Sequence, residues 1–240
     1  LTEGIDLSIY LLGGFELQTI SCYRKFVRPG DVAIDVGANI GSHTLVFAEL
    51  VGAAGQVHAF EPTVYALNKL KVNANLNPTL EKRIIANQMM VLADLVGDLP
   101  NALYSSWPLF NSSDTHPGHF GSMMTTKGAK PTTIDSYVRT KKLMTINVIK
   151  IDVDGYEIDV LEGAQNVIDR DQPLVIFEFA PHILKEHSVN PEMFLDYFYN
   201  RGYRLYYANT LKRLPRRIGK STTLVSLRGS INILASVTDL

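Results

Sequence analysis

The chain has 240 residues, 46% hydrophobic and 20% charged, enough for one sizeable core and short for two full domains. Its 23 Lys and Arg against 24 Asp and Glu leave a net charge of −1, which argues against a disordered chain and against one that binds nucleic acid by bulk positive charge. The single cysteine, Cys22, excludes an internal disulfide framework and a Cys-rich zinc site, and the absence of both an 18-residue apolar run and a basic leader in LTEGIDLSIY makes a cytoplasmic location without a membrane partner the expectation.

In chain order, residues 1–30 read as an entry and cap segment, with Phe15, Ile20, Tyr23 and Val27 at roughly helical spacing and a turn at Arg28-Pro29-Gly30-Asp31. Val32–Val36 is an unalternating β-rich run, as a parallel strand buried on both faces requires. A helix over Ser42–Val51, a strand over Gln56–Phe60 and a helix over Thr63–Asn75 follow, then a third strand over Arg83–Val91. Residues 98–130 read as a long irregular loop, a lid over the acceptor. Beyond it the pattern predicts a short helix over Thr132–Arg139 and a strand over Ile146–Ile151. A helix over Tyr156–Ile168, with a break at Gly163, leads to a strand over Pro173–Phe179. A helix over Pro191–Arg201 and a strand over Tyr203–Tyr207 precede a terminal hairpin from Thr222–Leu227 and Ile231–Val237. Repeated strand–helix units specify an α/β fold in one domain, with a mostly parallel sheet and helices on both faces.

The sharpest local signal is Asp35-Val36-Gly37-Ala38-Asn39-Ile40-Gly41, between a strand and a helix. Gly37 allows a tight turn and a close ligand, and the free N–H groups at the helix start suit a carboxylate or phosphate. Twenty residues after Gly41, Glu61 stands at the next strand's end, where an acid can take ribose hydroxyls. The plain alternative is a glycine turn joining a strand to a helix. Asp35 stands where a dinucleotide fingerprint has its first glycine, and an acid there repels a pyrophosphate and favours a cation. A sulfonium and an α-ammonium are both cations, which favours S-adenosylmethionine over NAD.

The stretch PGDVAIDVGANIGSHTLVFA, then GQVHAFEP, IKIDVDGYEIDVLEGA and PLVIFEF, resembles the FkbM family of S-adenosylmethionine-dependent methyltransferases over roughly residues 13–180. The resemblance implies a Rossmann-like class I methyltransferase sandwich of seven strands, in the order 3-2-1-4-5-7-6, with an antiparallel C-terminal strand. It implies that Asp35, Gly37, Ala38, Asn39 and Gly41 hold the methionine part of the cofactor and that Glu61 holds the ribose. It further implies that His43 and Thr44 line the same cleft, that Asp94 lies near the adenine and that Glu16 closes over the cofactor. The family's D-x-E-G-x-E reads Asp152-Val153-Asp154-Gly155-Tyr156-Glu157 here, one methylene shorter at the second acid with the charge retained. The implied reaction is O-methylation of a sugar or secondary-metabolite hydroxyl, leaving S-adenosylhomocysteine.

The strand order would gather Asp35, Asp152 and Glu178 on one rim, where close carboxylates raise one another's pKa and suit a general base. Asp152, Glu178 and His182 are therefore the catalytic candidates, with Asp152 alternatively a ligand of the cofactor's amino group. Glu157 and Asp159 are compatible with a solvated helix face. Neither Asp152, Asp154 and Glu157 nor His116 and His119 make a metal-binding pattern, and no metal is expected. The run Lys212, Arg213, Arg216, Arg217 and Lys220 reads first as a solvated loop, with a patch for an acidic substrate and a nucleic-acid contact as alternatives. Tyr104, Trp107, Phe110 and Phe120 either line the lid over an apolar or sugar-like acceptor or anchor it on the core. The rival functions are N-methylation on the same scaffold and a non-catalytic module that docks a partner.

Overall fold

Short β-branched runs, each bounded by a turn signal, alternate with helices that bury one face, and this sets the architecture of the computed structural model, which describes residues 3–96, 99–106, 121–215 and 229–240. The helices α1 (Gly4–Leu12) and α2 (Leu17–Phe26) precede β1 (Val32–Val36), α3 (Ser42–Leu50), β2 (Gln56–Phe60), α4 (Val64–Asn75), α5 (Pro78–Glu81) and β3 (Ile84–Asn87). Four short strands follow, β4 (Met89–Val91), β5 (Ala102–Ser106), β6 (Ser122–Thr125) and β7 (Lys130–Thr132), and then α6 (Ile134–Lys141). The second half comprises β8 (Val148–Ile151), α7 (Glu157–Glu162), α8 (Gln165–Asp171), β9 (Leu174–Phe179), α9 (Pro181–Glu186), α10 (Pro191–Tyr199), β10 (Arg204–Tyr207) and β11 (Ile231–Ser236).

Seven strands form one sheet in the order β10-β11-β9-β8-β1-β2-β3. This is the expected 3-2-1-4-5-7-6 arrangement. The pairs β3–β2, β2–β1, β1–β8 and β8–β9 are parallel, whereas β11 runs antiparallel to both β9 and β10. The strand order reverses between β1 and β8, so the crevice outside their carboxyl ends is the topological switch point.

Side chains alternate across each strand and divide the core in two. Ile34, Ile149, Val175 and Phe177 pack with α6, α7, α8 and α10 on one face. Ala33, Val57, Val148, Ile176 and Leu234 pack with α2 and α3 on the other. Asp35 shares the face of Ala33, and Lys150 that of Val148, so both are directed to the α2–α3 side. Among the described residues no helix is long and apolar enough to cross a membrane.

Several elements depart from the expectation. The third strand is two, because Gln88 ends β3 and redirects the chain so that β4 pairs with β7 outside the main sheet. The expected irregular loop 98–130 contains the β5–β6 hairpin. Helices α1, α5 and α9 were not expected. In α1, Tyr10, Leu11 and Leu12 are exposed, so no one-sided apolar stripe marks the helix, which is held to α4 by Glu3 and Asp6 against Lys69. The strand β11 is inserted between β9 and β10. Its expected hairpin partner, Thr222–Leu227, lies outside the described residues, as do Trp107, Phe110, His116, His119, Phe120, Arg216, Arg217 and Lys220.

Phe198 is fully buried and stacks on Phe177 at 4.8 Å, closing the α10 face of the core. Phe198→Ala is expected to cost about 3–5 kcal/mol, read as a fall in the urea midpoint at unchanged slope.

Candidate functional site

The loop after β1 leaves the sheet by crossing the end of β2, where the Gly37 and Ala38 amides both donate to the Phe60 carbonyl at 3.0 Å. Gly37 has φ +79°, and a Cβ there would overlap the carbonyl oxygen of Asp152. Only glycine serves at this position, because the left-handed backbone and the neighbouring strand end both exclude a side chain. Gly41, at φ +88°, opens α3 against Leu70 of α4. Between them Asn39 takes φ +47° and binds three ways. Its amide donates to Glu61 Oε2 at 3.0 Å, its Oδ1 accepts from the Ile40 amide at 2.7 Å, and its Nδ2 donates to the Ser105 carbonyl at 3.0 Å.

Glu61 is buried at the end of β2, and its Oε1 accepts from the Thr63 amide at 2.9 Å and the Thr63 hydroxyl at 2.5 Å. Burial pushes this carboxyl up, and the Thr63 and Asn39 donors oppose the shift. An ionised carboxylate offers about four lone-pair positions. Three are occupied by the chain, which leaves capacity for one ligand hydroxyl.

Asp35 is fully buried, and its Oδ2 accepts from the Thr44 hydroxyl at 2.6 Å. Its Oδ1 is buried with no partner among the described residues. Burial raises the Asp35 carboxyl, while Lys150 and Thr44 draw it down. His43 is buried with Nδ1 3.2 Å from the Tyr23 hydroxyl and Nε2 3.5 Å from Glu16 Oε2. Burial and the Lys150 charge hold His43 well below the ordinary imidazole range, so it is neutral at pH 7 and its contact with Glu16 is not an ion pair. Glu16 stands at the start of α2 with φ 50°, and Asn232 Nδ2 of β11 donates to its Oε2 at 2.9 Å. Burial and Asp152 push the Glu16 carboxyl up.

Lys150 was not singled out from sequence. It is 1% exposed on β8, opposite Asp35 in the parallel register, with Nζ 2.7 Å from Asp152 Oδ2. Its carboxylate neighbours hold it above the usual lysine range despite its burial. The signal was available: a charge inside Val148–Ile151, an otherwise apolar and fully buried strand, requires a partner.

Beyond Asp152 the chain turns through Asp154 at φ +49° and Gly155 at φ +105°. Burial, Asp152 and Glu157 hold the Asp154 carboxyl well above its ordinary range. Glu157, compatible from sequence with a solvated face, is buried, and its carboxylate accepts from the Gly155 and Val153 amides. Burial raises it to about 7. Glu178 lies opposite Asn232 on β9, and burial and Asp152 raise it well above the carboxylate range. Asp152 thus acts on both Asp35 and Glu178, which belong to the strands on either side of β8. His182, on α9, has a buried Nδ1 with no partner among the described residues. Asp94 is exposed, accepts from the Val96 amide at 2.9 Å and influences Asp159 of α7. Among the described residues no group of three acidic, His or Cys side chains is arranged to hold a metal ion. Lys212 and Arg213 are exposed, with Arg213 4.0 Å from Asp239, and Tyr104 is half-buried on β5.

These groups fit S-adenosylmethionine. An orphaned buried carboxylate oxygen and a surplus of carboxylates suit its α-ammonium, the start of α3 suits its carboxylate, and Glu61 retains room for a ribose hydroxyl.

A model described as the methyltransferase FkbM domain matches residues 35–205. The hexuronic acid methyltransferase AglP of Haloferax volcanii is 28% identical over 153 residues, which is 64% of this chain and 58% of that protein. The 31-O-demethyl-FK506 methyltransferase FkbM of Streptomyces tacrolimicus is 47% identical over 62 residues, 25% of this chain and 24% of that one. The matches therefore span less than two thirds of either relative's length. An S-adenosylmethionine-dependent O-methyltransferase from Thermotoga maritima has a TM-score of 0.51 at 13% identity, covering 95% of this chain and 69% of its own, a likeness of fold.

Gly37→Ala is expected to weaken S-adenosylhomocysteine binding by at least about tenfold, measured by calorimetry, because the loop must leave the Asp152 carbonyl. Glu157 also makes stability depend on pH. Its folded pKa, about 7, exceeds the ordinary carboxyl value of 4.5, so the native state binds the extra proton and stability falls as pH rises from about 4.5 to about 7. Urea melts at pH 5, 6 and 7 are expected to show a shallower decline for Glu157→Gln than for the wild type.

Proposed function

Because the chain belongs to the methyltransferase FkbM family, we propose that it methylates a hydroxyl of a sugar or secondary metabolite, with S-adenosylmethionine as donor. The carrying observation is the contact of Asn39 with Glu61, which locks the glycine loop to the end of β2 at the switch point of the sheet. Bound there, the cofactor would supply an electrophilic methyl group on a sulfonium.

The chain's own residues bind, orient and take the proton. The loop Gly37, Ala38, Asn39 and Gly41 brings backbone against the methionine part, Asp35 and Asp152 face its ammonium, and Glu61 takes a ribose hydroxyl. Thr44 holds Asp35 in place, while neutral His43 and the pinned Glu16 wall the cleft from the α2 side. Asp94 keeps the assignment near the adenine only as an exposed residue that would fold in with the ligand. Asp152 or Glu178 accepts the acceptor's proton, with His182 as an auxiliary base, and orientation with water exclusion supplies much of the rate. Burial raises Glu157 to about 7, so this carboxyl is shared between its donor and acceptor forms near neutral pH, which suits a hydroxyl-bearing acceptor. One relative is described as acting on a hexuronic acid and the other on a demethylated hydroxyl position of a metabolite, and both support an acceptor of this class.

The test is methyl transfer from labelled S-adenosylmethionine to a panel of methyl hexosides, hexuronates and macrolide alcohols. A hydroxyl acceptor is expected to be labelled, and Asp152→Asn and Glu178→Gln are each expected to lower its kcat by about 100-fold. Labelling confined to amines, with both variants retaining the rate, would replace this reading by N-methylation. No labelling together with no S-adenosylhomocysteine binding would point to the docking module.

A further inference from the structure

Lys150 occupies a slot between Ile149 and Ile151 in a strand that is otherwise apolar. Its side chain is 2% exposed, whereas that of its partner Asp152 is 28% exposed. The ammonium therefore lies beneath the crevice and the carboxylate at its surface. Asp152 faces Lys150 from the end of the same strand and Asp35 faces it from β1. Glu16 faces it from the start of α2, Asp154 from the turn beyond, and neutral His43 from α3. The neighbouring β9 position is the apolar Ile176. Asp152 also lies in the field of Glu157 and Glu178.

We propose that Lys150 is a positioning residue for Asp152: its ammonium holds the carboxylate aimed beside the Gly37 loop, where it receives the α-ammonium of S-adenosylmethionine. The proposal rests on the reading of Asp152 as a contact of the cofactor's amino group. Two independent features of the geometry support it. Asp152 is joined by its amide to the Val36 carbonyl at 3.0 Å, so its backbone is registered to the strand that launches the loop. Its carbonyl also meets Gly37 at the closest approach that a glycine permits. A carboxylate anchored this firmly at the backbone has only its side-chain rotation left to set, and Lys150 donates to the oxygen that decides it.

The experiment is calorimetric titration with S-adenosylhomocysteine at pH 6.5 and pH 8.5, with melting temperatures, on the wild type, Asp152→Asn, Lys150→Met and Lys150→Met/Asp152→Asn. Asp152→Asn is expected to weaken binding about tenfold at both pH values. Lys150→Met is expected to weaken it about tenfold at both pH values, because the carboxylate loses the donor that aims it. The double variant is expected to match Asp152→Asn. Asp154, Glu157 and Glu178 titrate in every variant, so the effect is read as a difference from the wild-type profile. A Lys150→Met protein that melts earlier yet binds with wild-type affinity at both pH values overturns the proposal and leaves a structural counter-ion. Wild-type binding by Asp152→Asn removes the underlying reading, and the proposal with it. Should Lys150→Met fail to fold, the double variant, in which neither charge of the pair remains, takes its place. A further tenfold loss in it beyond Asp152→Asn would then overturn the proposal.

Discussion

The close approach of Gly37 to the end of β8 is the constraint on which the site depends. β1 and β8 are parallel neighbours, and the loop leaving β1 crosses directly over the Asp152 carbonyl. That crossing brings the two halves of the chain, separated by more than a hundred residues of sequence, to one point. It places Asp35 and Asp152 around Lys150, and it commits the loop to a left-handed path that only glycine follows without strain. The crevice and its charge follow from the same contact.

A second consequence is the coupling between the glycine loop and the inserted hairpin. The Asn39 side chain holds the Ser105 carbonyl, and the Ser105 hydroxyl lies 3.3 Å from that of Thr63, which itself donates to Glu61. The residue that would hold the ribose and the β5 strand are therefore joined through two hydrogen bonds. A polar chain of this kind, fully satisfied in a buried setting, fixes the relative position of its members. The β5 strand is thus built onto the glycine loop rather than hung from the surface.

The legible part of the fold came from residues whose local physics has one solution. Val32–Val36 and Gln56–Phe60 are continuous β-rich runs between turn signals, and the structure has strands with those bounds. Gly163 breaks the helical run after Asp152, and α7 and α8 lie on either side of it. The illegible elements have a common cause. The amphipathic stripe of α1 is spoiled by exposed Tyr10, Leu11 and Leu12, and the β5–β6 hairpin sits among Pro, Gly, Ser and Asn residues that carry no strand pattern. Their conformation is decided by what they pack against.

The candidate site divides in the same way. Asp35, Gly37, Gly41 and Glu61 form a local pattern of spacing around two strand ends, and spacing is a property that a sequence carries. Which side chains complete the pattern is not. Thr63 occupies Glu61, Asn232 pins Glu16, and Lys150 sits among Asp35, Asp152 and Glu16 because strands distant in sequence are adjacent in the sheet. The sequence by itself determined the alternation of the main-sheet strands with their helices, the family and the glycine loop between β1 and α3, since these rest on hydrophobic periodicity and short-range motifs. Only the tertiary structure decided the charge balance of the crevice. That balance depends on distances between buried ionisable groups and on their separation from water, and neither quantity exists until the sheet has closed.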